Sequence, residues 1–259
     1  MAKKPKWVVE KEQARRAAAA ETVWLFGLHA VRDALLNPAR EKLRLVVSKN
    51  AADKLAEAIV ASGLLPEISD PRKFAAPIDP GSVHQGAALE VKALNWGSLE
   101  EVCTRGSGPV VLLDRVTDPH NVGAVLRSAE VFGARAVIAP ARASAPETGA
   151  LAKTASGALE RQPYLRVKNL SDAMRKLQDM GYVLLGLDGE ASDTLDQGLS
   201  AIEPGRPIGL VLGAEGPGMR QKTRETCDVL VRITPAGEFG SLNVSNAAAV
   251  ALYGATHRR

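Results

Sequence analysis

The chain has 259 residues, 46% of them hydrophobic and 24% charged, with a net charge of +4. These are ordinary values for a soluble globular protein, and the length suffices for one large core or two modest ones. No apolar run approaches the roughly 20 residues of a bilayer span, and the Lys-rich start lacks the apolar core of a secretory signal. The two cysteines, Cys103 and Cys227, are far apart and suggest neither a disulfide framework nor a zinc spacing, so reduced thiols in a cytoplasmic protein are expected. The positive charge is compatible with a polyanionic partner without requiring one.

Residues 1–21 read as a basic tail. Lys3, Lys4, Lys6, Lys11, Arg15 and Arg16 outnumber Glu10 and Glu12, and an alanine run follows with no apolar stripe to dock it. It is either a solvated arm or one that binds phosphates without specificity. Residues 22–93 read as a small α/β domain. Val31, Leu35 and Leu36 predict a helix, Leu43–Val47 a strand, Leu55 and Ile59 part of another helix, and Val83–Val91 a returning strand. The glycine-bearing stretch 94–108 is the expected linker. From residue 109 onward strand and helix patterns alternate. Strands are expected at Val110–Asp114, Ala136–Ala139, Tyr182–Leu187, Ile208–Leu212 and Val229–Ile233. Helices are expected over Asn121–Phe132, Leu170–Met180 and Asn243–Ala255. Such alternation predicts a mainly parallel sheet covered by helices on both sides.

Three stretches interrupt regular elements with glycine, proline and polar groups where strands end, which is where open α/β sheets bind ligands. In the first, Leu113 to Ser128, Asp118-Pro119 makes a turn, Asn121 can cap the next helix, and Arg127 lies off its apolar stripe. In the second, Ile208 to Met219, an apolar strand runs into a glycine-rich turn carrying one carboxylate, Glu215. This is neither a P-loop nor the dinucleotide fingerprint. A helix starting near Met219 would offer N–H groups to a polar ligand. In the third, Ile233 to Ala247, four residues (Ser241, Asn243, Ser245 and Asn246) compete to cap one helix, more than a helix end needs. The four histidines include no pair with metal-ligand spacing, and no metal is expected.

In this order, the three segments resemble motifs 1, 2 and 3 of the SpoU/TrmH family of RNA methyltransferases over roughly residues 109–253. Phe26-Gly27-Leu28-His29-Ala30-Val31 and Val83-His84-Gln85-Gly86 resemble the L30e-like substrate-binding domain that precedes the catalytic domain in many members. The resemblance implies methyl transfer from S-adenosylmethionine to a ribose 2′-hydroxyl of RNA, a guanosine of 23S ribosomal RNA before a transfer RNA. It also implies a trefoil knot in the parallel sheet of residues 109–259, and a homodimer. Carried over by motif, Leu212, Gly213, Ile233 and Leu242 hold the cofactor, joined by the strand end Leu187-Asp188-Gly189. Asn121, Arg127, Glu215, Ser241 and Asn243 match the catalytic set. Arg127 would act as a base in a desolvated setting, or stabilise the 2′-alkoxide as a cation. Asn121 would orient Arg127 or the ribose, Glu215 would fix its loop or receive hydrogen bonds, and Ser241 and Asn243 would position their loop. Other readings are a catalytically silent RNA-binding protein of the same fold and a nucleotide-dependent dehydrogenase. The complete polar set opposes the first, and the missing glycine fingerprint the second.

Overall fold

The computed structural model describes residues 22–79, 81–104, 108–237 and 240–257. The basic tail expected at residues 1–21 lies outside the described residues, as do Gly106 of the expected linker and Glu238 and Phe239 of the third stretch. The chain divides into two compact units. Described residues up to Asn95, with Glu147–Lys153, form the first; Trp96–Pro146 and the residues from Thr154 form the second.

The first unit runs β1 (Thr22–Phe26), α1 (Leu28–Leu36), β2 (Lys42–Val47), α2 (Lys49–Lys54), α3 (Ala56–Ser62), β3 (Pro66–Ile68) and β4 (Ala87–Lys92). Its four strands lie in the order β1-β4-β2-β3, with β4 antiparallel to both neighbours and β3 parallel to β2. In α1 the buried stripe is Ala30, Val31, Ala34 and Leu35. Leu36, expected on that stripe, is half exposed because it falls one residue beyond the i, i+4 repeat of Val31 and Leu35. The expected strand over Val83–Val91 begins only at Ala87. Gln85 and Gly86 before it have φ of 54° and 75°, a turn that lets Ser48 N donate to Gly86 O at 2.7 Å. A buried ion pair, Arg40 Nη1 to Glu147 Oε2 at 3.2 Å, fastens residue 147 within this unit, and the same Nη1 caps the Lys92 carbonyl at 2.8 Å.

The second unit contains α4 (Leu99–Thr104), β5 (Val110–Asp114), α5 (Pro119–Val131), β6 (Ala136–Pro140), only the end of α6 (Gly149–Ala155), whose residues up to Lys153 belong to the first unit, then β7 (Tyr164–Val167), α7 (Leu170–Asp179), β8 (Val183–Leu187), β9 (Asp193–Thr194), α8 (Leu195–Ser200), β10 (Ile208–Gly213), α9 (Gln221–Thr226), β11 (Val229–Arg232) and α10 (Val244–His257). Seven strands form one sheet in the order β7-β6-β5-β10-β8-β11-β9, and every pairing is parallel. Alternating side chains leave opposite faces of the sheet. Val110 and Leu112 of β5 pack with Ile138, Leu184, Met174 and Leu177 on one face. Val111 and Leu113 are equally buried on the other, the side of Val122, Val125, Leu126, Ala248 and Leu252 from α5 and α10. Both faces are therefore dry, which is why these strands read as continuous apolar runs.

The stretch expected as linker instead contains α4, whose Leu99 and Cys103 join this core. Two apolar residues four apart were a weak signal beside the flanking glycines, yet they are enough to dock one helical turn. The short elements β3, β9, α6 and α8 also had no sequence pattern long enough to register.

Candidate active site

A parallel sheet puts all its outgoing loops at one edge, and the three marked stretches meet there. A cavity of about 470 Å³ lies beyond the carboxyl ends of β8, β10 and β11. Leu187, Leu212, Gly213, Ile233 and Leu242 all line it, together with Glu215, Ser241 and Asn243. Leu242 is 46% exposed although apolar, so the wall presents greasy surface for a ligand to cover. Asp188 and Gly189 of the expected strand end also line it; Gly216, Gly218, Val244 and Ala247 do too and were not singled out as site residues by sequence reasoning, their adjacency to the motif residues being the available signal.

The glycine-rich turn after β10 folds back on itself. Gly218 N donates to Ala214 O at 2.9 Å, and a Cβ on Gly213 would fall 2.2 Å from the carbonyl carbon of Gly218. Only glycine permits this close approach of two backbones. The far end of the turn is anchored by Asp114, the last residue of β5, which is fully buried. Its carboxylate accepts from Arg220 N and Arg220 Nε, each at 2.8 Å, and pairs with Nη2 at 2.8 Å. This bond holds the Arg220 backbone N–H, and the helix expected near Met219 starts at Gln221 instead. Asp114 and Arg220 are the positioning residues sequence reasoning missed. A carboxylate ending a wholly apolar strand was the visible sign.

Asn121, Glu215 and Asn243 converge. Glu215 Oε1 accepts from Asn121 Nδ2 at 3.1 Å, from Asn243 Nδ2 and from Val244 N at 3.3 Å, while Asn243 Nδ2 also donates to Asn121 Oδ1 at 2.9 Å. Besides belonging to the expected catalytic set, Asn121 could by its position in the sequence cap α5. That cap is Asp118, whose side chain accepts from His120 N at 2.9 Å, with Pro119 in the first turn. Asn121 falls three residues inside the boundary, so its amide is free to face the other two loops. At α10 the competition among caps also resolves: Asn243 Oδ1 accepts from Ser245 N at 2.8 Å and from Ser245 Oγ at 2.6 Å, while its amide serves Glu215. Ser241 lines the cavity without taking part in that cap.

Arg127 is not brought into this cluster. It is exposed on α5, two turns beyond Asn121, and makes no hydrogen bond or ion pair with the described residues. Among the described residues no group of three or more His, Cys, Asp or Glu could hold a metal ion.

The profile of the SpoU rRNA Methylase family matches residues 108–253, and the chain belongs to that family. Similar full-length relatives include the 23S rRNA (guanosine-2′-O-)-methyltransferases RlmB of Vibrio vulnificus and Ralstonia nicotianae. The first is 38% identical over 243 residues, covering 91% of this chain and 97% of that protein; the second is 41% identical over 244 residues, covering 91% and 95%. Among solved structures, the SpoU methyltransferase AviRb of Streptomyces viridochromogenes, in complex with the cofactor AdoMet, superposes with a TM-score of 0.78 at 23% identity. That match covers 94% of this chain and 92% of AviRb. A TrmH-family protein of Porphyromonas gingivalis gives 0.73 at 24% identity, covering 93% and 92%. These two likenesses show the shared fold.

Proposed function

We propose that this chain transfers a methyl group from S-adenosylmethionine to the ribose 2′-hydroxyl of a guanosine in 23S ribosomal RNA. The observation that carries the reading is the single cavity at which eight of the ten motif residues meet, with Asn121 bonded to its rim. Its volume falls in the range of roughly 300–1,000 Å³ typical of small-ligand sites. The apolar walls of Leu187, Leu212, Ile233 and Leu242 suit an adenosine, and the Gly213–Gly218 turn lets backbone approach it closely. The relatives named RlmB, matched over nearly their whole length, support the guanosine and the 23S RNA. The transfer RNA alternative lacks such support.

When bound, S-adenosylmethionine supplies an already activated methyl group, so this chain's residues have to position the reactants and handle one proton. Glu215 Oε1 is saturated by three donors and locks the loops after β5, β10 and β11 into one unit. Oε2 remains to accept from a bound hydroxyl. Arg127 is exposed to water in the single chain, which is not the desolvated setting that a base role requires. Of its two open roles, stabilising the developing alkoxide as a cation is therefore the better supported.

A second copy of the chain is the proposed neighbour of Arg127. Val131, one turn further along α5, is 71% exposed, and Val250 and Tyr253 on the packed helix α10 are 45% and 57% exposed. A self-complementary apolar face of this kind suits a twofold homodimer, and would let Arg127 serve a partner's site. The first unit is proposed to be an L30e-like domain that selects the RNA. The second is proposed to carry the family's trefoil knot, a reading supported by the insertion of the late strand β10 between β5 and β8. No described helix is long and apolar enough to cross a membrane; a cytoplasmic location is proposed together with the RNA substrate.

The test is transfer of tritium from methyl-labelled S-adenosylmethionine to unmethylated 23S RNA, with the product nucleoside identified. Label on a guanosine 2′-oxygen is expected; label on a base, or none on any RNA, would overturn the reading.

A further inference from the structure

The carboxyl edge of the sheet carries two arginines that the reading above does not use. Arg115 follows β5 directly, and Arg142 lies two residues beyond the end of β6. These strands are parallel neighbours, so both arginines leave the same edge. Along that edge the order is informative. The cavity belongs to β11, β8 and β10, the Asn121–Glu215–Asn243 cluster joins the loops of β10 and β5, and the two arginines continue onto β5 and β6, away from the cavity.

The two loops are braced as one surface. Ala145 N donates to Val116 O at 3.3 Å. The Tyr164 hydroxyl donates to Ala145 O at 2.7 Å, Arg166 Nη1 donates to the same oxygen at 3.1 Å, and Ser144 Oγ donates to Pro140 O at 2.6 Å. Ser144 and Ala145 are buried, which leaves Ala141–Ala143 as an exposed tip. Of the four described non-glycine residues with positive φ, two are here: Arg115 at 60° and Ala143 at 61°. Glycine would sit at either position without strain, and strained residues of this kind gather at functional sites. Arg115 Nε is buried without a hydrogen-bond partner. Arg44, Arg161, Arg175, Arg220 and Arg224 each pair with a carboxylate; Arg115 and Arg142 pair with none among the described residues, and unlike Arg135, Arg166 and Arg232 their guanidinium groups hold no backbone carbonyl either. The nearby carboxylates are engaged: Asp114 by Arg220, and Asp118 Oδ1 by His120 N.

We propose that Arg115 and Arg142 form a phosphate clamp for the RNA strand beside the ribose being methylated. The proposal rests on the methyltransferase reading and deepens it. A planar guanidinium matches phosphate geometry with paired donors, and phosphate contacts set register without reading sequence. The clamp decides which sugar of the strand stands opposite the cavity. It is a positioning device and leaves the chemical step to the cluster beside it.

The test uses Arg115→Gly, Arg142→Ala and the double variant. Glycine accepts a φ of 60°, and Arg142 is exposed, so each should fold; calorimetric titration with S-adenosylhomocysteine reports this directly. Methyl transfer to transcribed, unmethylated 23S RNA is then followed over a range of salt concentrations. The KM for RNA is expected to rise about tenfold in each single variant, with kcat and S-adenosylhomocysteine affinity unchanged. In the double variant the slope of log affinity against log salt should flatten by about 1.4, two contacts at roughly 0.7 each on a single strand. An unchanged KM and salt slope would overturn the clamp, and so would a fall in kcat at constant KM. If the unaltered protein methylates no RNA, the methyltransferase reading fails instead. The clamp is then decided by direct binding of the same RNA: loss of salt-dependent affinity in the double variant supports it, and equal affinity overturns it.

Discussion

Replacing Asp114 with asparagine tests how the glycine-rich turn after β10 is held. Asp114 is fully buried, and its two oxygens receive three contacts from Arg220, all at 2.8 Å. Asparagine keeps the shape but removes the charge and turns one acceptor into a donor facing another donor. Breaking a wholly buried ion pair costs about 3–5 kcal/mol. Arg220 is 45% exposed, so its freed charge returns to water and the loss is closer to that of one charged hydrogen bond, roughly 2 kcal/mol. For a unit of this size that lowers Tm by about 4–8 °C. Because the pair fastens one end of the turn bearing Gly213 and Glu215, S-adenosylhomocysteine affinity should fall as well. Thermal melts with and without S-adenosylhomocysteine, together with calorimetric titration, measure both. A lowered Tm with unchanged affinity would refute the claim that the pair positions the turn, and no change in either would refute the energetic argument.

Gly213→Ala should abolish S-adenosylhomocysteine binding, since the added Cβ meets backbone atoms of Gly218 and Met219 at 2.2 Å; retained binding in a titration would contradict the cradle. Arg127→Ala should lose methyl transfer while keeping S-adenosylhomocysteine affinity, because Arg127 does not line the cavity; an active variant would remove it from the mechanism. Burial pushes the Cys103 thiol up to about 11 and the Cys227 thiol up to about 12. The unfolded chain then loses these protons first, so stability is intact below about pH 8 and falls as pH climbs towards 11, by about 1.4 kcal/mol per thiol at pH 10. Urea melts from pH 8 to 10 should show that slope, and Cys103→Ala with Cys227→Ala should flatten it.

Much of the second unit is legible in the sequence because its strands are buried on both faces. Val110–Asp114 and Ile208–Gly213 stand out as unbroken apolar runs, and α5 shows its period through Val122, Val125, Leu126 and Ala129. Short elements escape the same reading. The helix Leu99–Thr104 has one turn of pattern, and only the core it enters makes it a helix.

What the residues determine alone is chemical: which loops carry amides, carboxylates and glycines, and that those loops follow strands. The assignment of partners was left to the tertiary fold, since Asn121 and Glu215 are 94 residues apart and Asn121 and Asn243 are 122 apart. Locally, Asn121 reads as a helix cap, because a short polar side chain near a helix start satisfies orphan N–H groups. Asp118 takes that place three residues earlier, and parallel pairing of β5 with β10 then delivers Asn121 to Glu215. The same pairing sets Asp114 against Arg220. Hydrogen bonds between distant loops leave no periodic trace along a chain, so they become visible only when the sheet brings the strand ends to one edge.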